Sequence, residues 1–134
     1  MFFCQSIIFK LSMYIILSNI KESNMLSQKV FIVALDSGAI ITDFNDAASR
    51  ISGYSKDEVI GKNWFEIFIP DRNLLEVLQV FSDLFQRKDY HWEHTNVIVC
   101  KNKTKKTIKW MNNIITDNKN RPRLIYSLGL EVIN

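Results

Sequence analysis

Apolar and polar positions change period several times along this chain, and each change marks an element. Val30–Leu35 is an apolar, β-branched run, Asp36-Ser37-Gly38 is turn chemistry, and Ile40–Phe44 is a second short run. Two such runs about a turn predict a β-hairpin. From Asn45 the spacing becomes helical. Asn45 or Asp46 can accept a hydrogen bond from the free amides of a first turn, Ala47, Ala48 and Ile51 share one face, and Gly53 can take the left-handed conformation that ends the helix. Ser55 followed by Glu58 is a capping box opening a second short helix, with Asp57 favourable in its first turn and Gly61 closing it. Taken alone, two capped helices fit many mixed domains.

The remainder of the chain narrows the choice. Trp64–Ile69 is a compact apolar stretch stopped by Pro70-Asp71. Leu74, Leu78, Phe81 and Phe85 then recur at helical intervals, with Val77 and Leu84 widening the stripe, which predicts a long amphipathic helix with Asp71 as its N-cap. Three long strands come next: Tyr90–Cys100, Lys105–Thr116 and Leu124–Val132, joined by turns at 102–104 and 117–120. In the second, Ile108, Trp110, Asn112 and Ile114 fall on one side and Thr107, Lys109, Met111 and Asn113 on the other. Strand, strand, short helices, long helix and three strands fit an α+β domain: an antiparallel five-stranded sheet with helices on one face.

Composition agrees with this and removes several function classes. A chain of 134 residues, 47% hydrophobic with 4 Gly and 2 Pro, is one ordered domain able to bury a modest core. The net charge of +3 is mild, although five lysines crowd Lys101–Lys109. Lysines alternating along a hairpin solvate it and discourage edge pairing, and no recognition helix or RNA-stacking motif accompanies them, so nucleic acid is not an expected partner. Cys4 and Cys100 make no metal or redox pattern. His91 and His94 are three apart on a strand and point to opposite faces, while His91 and Glu93 are too few for a closed metal site; solvated strand histidines are expected. There is no phosphate loop, nucleophile elbow or CxxC, so catalysis by this chain is not expected.

The first two dozen residues stand apart. Phe2–Ile20 is strongly apolar but broken by Gln5, Lys10, Ser12 and Ser18, and its polar residues fall on several sides of a helical wheel. A membrane span needs about twenty mostly apolar residues, and a mid-helix lysine costs about 3 kcal/mol. A basic start and a small-x-small cleavage site are both missing. Three readings stay open for residues 1–27: a marginal membrane anchor through residues 1–20, a helix packing on the sheet or on a second subunit, or an extension from an early start codon, with Met25 just before the domain. The packing helix is the favoured one.

Asp36-Ser37-Gly38, Asn45 with Ala47-Ala48, Gly53-Tyr54-Ser55, Glu58-Val59-Ile60-Gly61-Lys62-Asn63-Trp64, the Phe68-Ile69-Pro70 stop, Lys101, Ile108-Lys109-Trp110 and Ser127–Ile133 follow one another in a set order. On these residues the chain, from about Gln28 to Asn134, resembles a PAS domain with its C-terminal PAC portion. It implies a sheet of strand order 2-1-5-4-3 and a cytoplasmic sensory or interaction module that binds a small ligand or pairs with another domain, as a homodimer or with a signalling partner. Rival readings are a ligand-free dimerisation module and the sensor fragment of a histidine kinase or diguanylate cyclase. Glu131 and Asn134 depart from the Gly-x-Asp-Ile-Thr pattern that usually leads into an effector. Light-sensing relatives place a reactive cysteine where this chain has Trp64, so cysteinyl-flavin chemistry is not expected. Haem-binding relatives place a histidine on the long helix, and Arg72–Lys88 has none, so haem ligation is not expected either. A non-covalent flavin, a small metabolite and a filled core stay open.

A pocket, where one exists, belongs between the concave sheet face and the helices. Trp64, Phe68 and Phe81 are expected as apolar walls, with Trp110 and Asn112 on the matching strand face. A buried Asn112 amide needs partners, and a ligand carbonyl or ring nitrogen could supply them. The plainer alternative has Trp64 and Trp110 filling the core and Asn112 bonding a neighbouring backbone.

Overall fold

The computed structural model describes residues 29–87 and 92–133. The readings made for residues 1–27, Met25, Cys4, Tyr90, His91 and Asn134 lie outside these residues. Strands β1 (Phe31–Asp36) and β2 (Ile41–Phe44) form the hairpin. Three short helices come next: α1 (Asp46–Ser52), α2 (Lys56–Val59) and α3 (Trp64–Phe68). A 3₁₀ turn (Asp71–Asn73) runs into the long helix α4 (Leu74–Phe85), and β3 (Glu93–Val99), β4 (Lys105–Thr116) and β5 (Pro122–Glu131) complete the chain. The sheet order is β2-β1-β5-β4-β3 with every pair antiparallel, as the resemblance implies. Pairing of β1 with β5 closes the fold, because it joins the two ends of the domain.

Short-range polar contacts set the connections. In the hairpin turn, Asp36 Oδ1 accepts from the amides of Gly38 (2.9 Å) and Ile40 (3.0 Å). The residue with left-handed φ there is Ala39 (62°), not Gly38. Asn45 caps α1 by accepting from Ala48 N–H at 2.9 Å. The same Oδ1 accepts from Ile32 N–H (2.9 Å), and Nδ2 donates to the Val30 carbonyl (2.8 Å), so one side chain starts the helix and pins it to β1. Gly53, at φ 82°, ends α1. The capping box of α2 is complete: Ser55 Oγ accepts from Glu58 N–H and Glu58 Oε1 from Ser55 N–H. Gly61, at φ 84°, turns the chain out of α2, and Asn63 caps α3.

Two boundaries differ from expectation. Asp71 makes no capping bond to α4; Pro70 turns the chain and Asn73 N–H donates to the Pro70 carbonyl (2.9 Å), so a 3₁₀ turn, not a side chain, takes up the first amides. The third strand, expected to include Trp92, is seen from Glu93, with Trp92 outside it.

The helices cover one face of the sheet around a single aromatic hub. Phe31 is fully buried and meets Phe44, Trp64, Phe68 and Trp110 edge-on, at centroid distances of 5.4, 6.0, 6.4 and 5.2 Å. A separate apolar cluster, Val30, Ile32 and Leu128 with Met111 and Tyr126 against it, lies on the other face.

One contact ties the second helix to the β3–β4 connection. Lys101 Nζ donates to Glu58 Oε2 at 2.6 Å, and this bond, followed by the Ser55 amide, holds the Glu58 carboxyl at about 2 against an ordinary 4.5. A carboxyl whose pKa is lowered by folding contributes stability that is complete above 4.5 and lost as pH falls towards 2. In Lys101→Met the Glu58 carboxyl should titrate closer to 4.5, read from its side-chain ¹³C resonance. An unchanged titration would remove Lys101 as the cause.

Candidate functional site

Strand register decides which side chains face the helices. Directly opposed residues share a face, and the pairs His94–Trp110, Asn96–Ile108, Asn112–Ser127, Trp110–Gly129 and Ile114–Ile125 all point inward. Helix α4 answers with Val77, Val80, Phe81 and Leu84. Between them is a cavity of about 50 Å³, apolar on the helix side and bearing a polar stripe of His94, Asn96, Asn112 and Ser127 on the sheet side. Of the five residues expected to line a pocket, Trp64, Phe81, Trp110 and Asn112 come together here. Phe68 lies behind them, fully buried against Tyr54, Phe44 and Trp64 at centroid distances of 5.4, 5.9 and 4.4 Å.

The polar stripe is organised by side chains. Ser127 Oγ donates to Asn112 Oδ1 at 2.7 Å with both residues buried, and Trp110 Nε1 donates to Asn96 Oδ1 at 2.8 Å. The Trp110 ring lies across Gly129: a Cβ on that glycine would sit 2.5 Å from Trp110 Cζ3 and 2.7 Å from Ile108 Cγ2. Gly129 is therefore the space in which the indole rests. His94 corrects the expectation of a solvated histidine. Its pairing with Trp110 turns it inward, only 16% of its side chain is exposed, and Nε2 stands 3.9 Å from Glu76 Oε1 on α4.

A neutral amide pair, a hydroxyl and an imidazole beside an apolar wall can orient a guest by hydrogen bonds. The Ser127 hydroxyl directs its hydrogen to Asn112 Oδ1, an amide oxygen and not a general base. Among the described residues no group of three or more His, Cys, Asp or Glu side chains is placed to hold a metal. A second hollow of about 310 Å³ lies outside the core between the end of α1 and the β3–β4 turn. Its lysines are engaged: Lys106 Nζ donates to the Ile51 carbonyl (3.0 Å) and pairs with Glu131 (3.4 Å), and Lys101 is held by Glu58.

Periodicity and motifs do not single out His94, Asn96 or Ser127. Parity with Ile98 places His94 and Asn96 inward, which is a usable signal. Ser127 offers none, because β5 carries its polar residues Ser127 and Glu131 inward and Tyr126, Leu128 and Leu130 outward, the reverse of what alternation suggests.

A family model described as PAS domain matches residues 28–132. The Probable C4-dicarboxylate sensor kinase of Halalkalibacterium halodurans is 41% identical over 59 residues, which is 44% of this chain and 11% of that kinase, so the chain spans only a small part of it. The PAS domain of the Cronobacter turicensis quorum-sensing receptor RpfR, in complex with BDSF, superposes with a TM-score of 0.67 at 19% identity, over 78% of this chain and 95% of that one. Drosophila melanogaster Cycle PAS-B with bound ethylene glycol gives 0.65 at 12% identity, over 76% and 99%. At these identities the two structures establish likeness of fold.

Gly129→Ala should displace the Trp110 ring and destabilise the chain by about 1–3 kcal/mol, the usual cost of an added methyl in a filled interior. Urea unfolding followed by tryptophan fluorescence measures it. A midpoint equal to that of the parent would show that the indole does not need the glycine.

Proposed function

The chain belongs to the PAS domain family, and from that premise we propose that it is a sensory module whose cavity binds a small ligand and relays occupancy to a partner in signal transduction. The observation that supports this reading most is the hydrogen-bonded stripe of Asn96, Asn112 and Ser127 beside the cavity between the sheet and α4. A core under selection for packing alone needs no such groups, since buried polar atoms are costly unless partnered. The domain spans 28–134 in this proposal, with residues 1–27 as a flanking segment and a cytoplasmic placement. Among the described residues no helix is long and apolar enough to cross a membrane.

Size restricts the guest. Sites for drug-sized ligands occupy roughly 300–1,000 Å³, against about 50 Å³ here. A compound of a few heavy atoms fits the cavity as it stands, whereas a flavin ring system or a haem does not. Binding would act by population shift: a guest hydrogen-bonded to Asn112 favours one packing of α4 on the sheet, and the partner reads that packing. The likeness to a sensor kinase supports a kinase as the downstream element. The aromatic filling of most of the interior by Phe31, Trp64 and Trp110 favours a second reading, a dimerisation module with no guest.

Thermal-shift screening with short diols, monocarboxylates and C4 dicarboxylates separates the two. A compound that binds only the folded chain adds about 2.7 kcal/mol at a hundred times its Kd, and Asn112→Ala should abolish the shift. A shift that survives in the variant removes Asn112 from the site, and no shift across the panel leaves the dimerisation module.

A further inference from the structure

The cavity between the sheet and α4 holds very little charge. Among the described residues none of its lining side chains is Asp, Glu, Lys or Arg, and His94 is the single one that ionises. At the rim, Glu76 on α4 stands 3.9 Å from His94 Nε2, with 63% of its side chain exposed. Together these two groups carry one negative charge or none: a neutral imidazole leaves the carboxylate alone, and an imidazolium cancels it. Neither state offers net positive charge to an anion. A carboxylate that entered would exchange water for apolar walls with a second carboxylate at the rim, and an ion buried without an opposite charge is costly.

Hydrogen bonds inside the cavity favour the same kind of guest. The Ser127 hydroxyl gives its one hydrogen to Asn112 Oδ1, so what Ser127 has left for a guest is an acceptor oxygen. Asn112 Oδ1 is an acceptor too, with a second lone pair. This corner, where β4 and β5 oppose Asn112 and Ser127, therefore suits a guest that donates. A carboxylate has no hydrogen to give and would set oxygen against oxygen. Alcohols and primary amides do donate. An ammonium donates as well, but no lining carboxylate would balance its charge. Asn96 offers amide hydrogens only at the far end of the stripe, opposite Ile108. Ile108 and Asn112 are about 13 Å apart along an extended strand, more than a guest of a few heavy atoms spans.

We infer that the guest is a small uncharged compound with a hydrogen-bond-donating head, a primary amide or an alcohol, and that Glu76 is the residue that turns carboxylates away. The inference rests on the cavity being a ligand site. The head lies at Asn112 and Ser127, and the short apolar remainder lies against Val77, Val80 and Leu84 of α4. Glu76 selects by its charge from the rim and does not bond the guest.

The test titrates the full ¹⁵N-labelled chain near neutral pH with propanamide, propanoate and propanamidinium, which share one size and shape and differ in charge. Propanamide is expected to shift the amide resonances of Asn112 and Ser127 and to bind about tenfold more tightly than either ion, the order that one hydrogen bond contributes. Glu76→Lys, at an exposed position, places a positive charge beside His94. It should tighten propanoate about tenfold and leave propanamide as it was. Propanoate or propanamidinium binding the parent chain as tightly as propanamide overturns the inference and leaves the ligand site standing. No gain for propanoate in Glu76→Lys overturns the role given to Glu76. Resonances of Asn112 and Ser127 that stay in place with all three probes overturn the inference together with the reading it rests on.

Discussion

The structure depends on how one ring, Phe31, is surrounded. It lies in β1 and takes edge-on contacts from β2 (Phe44), α3 (Trp64 and Phe68) and β4 (Trp110), elements separated by up to most of the domain's length. Edge-to-face aromatic pairs add about 0.5–1.5 kcal/mol each beyond the area they bury, and they fix ring orientation as well as distance. The position of Trp110 is consequently set by two neighbours that face each other across β1 and β5: Phe31, whose ring meets the indole edge-on, and Gly129, whose missing side chain leaves room for it. The indole cannot move far, and its N–H is committed to Asn96. The edge of the cavity is thus a by-product of the aromatic packing that stabilises the fold.

That arrangement explains why the cavity is both small and polar. Trp64 and Trp110 line one side of the cavity, and the rest is bounded by α4 and by the small polar side chains of Asn112 and Ser127. Ser127 and Asn112 face each other across β4 and β5, and the buried Ser127 hydroxyl donates to Asn112 Oδ1. His94, which lines the same space from β3, has its Nε2 3.9 Å from Glu76 Oε1 on α4. Whatever enters must therefore meet hydrogen-bonding groups held by the sheet and apolar groups held by a helix. Sheet and helix are also the two parts whose relative packing a signal would change.

The short helices were readable because their instructions are local. Asn45, Gly53, Ser55, Glu58 and Gly61 each cap or turn the chain within a few residues of their own positions, and Asn45 and Glu58 in addition reach β1 and Lys101, which their local spacing does not announce. Asp71 failed for an equally local reason, as Pro70 allowed a 3₁₀ turn to use amides that a side chain would otherwise have capped. Alternation along β4 placed Trp110 and Asn112 on the inward side, and Phe81 on α4 and Trp64 on α3 line the same cavity. Phe68 was misplaced because periodicity says that a residue is buried but not against what; its ring turned to Tyr54 and Phe44 instead of the cavity.

The sequence by itself determined the element order, the hairpin turn and the caps of α1 and α2, because these depend on residues within a few positions of one another; on α4 it placed Leu78 in the buried stripe, where the structure leaves Leu78 exposed and buries Val80 instead. Only the tertiary structure decided that His94 faces inward, that Ser127 partners Asn112, that Gly129 receives the indole, and that β5 turns its more apolar side away from the helices. Those outcomes depend on which strand lies beside which, and on whether one face of a sheet or both must be covered. Strand pairing between distant segments sets both conditions, and a single strand's alternation records only that it has two faces.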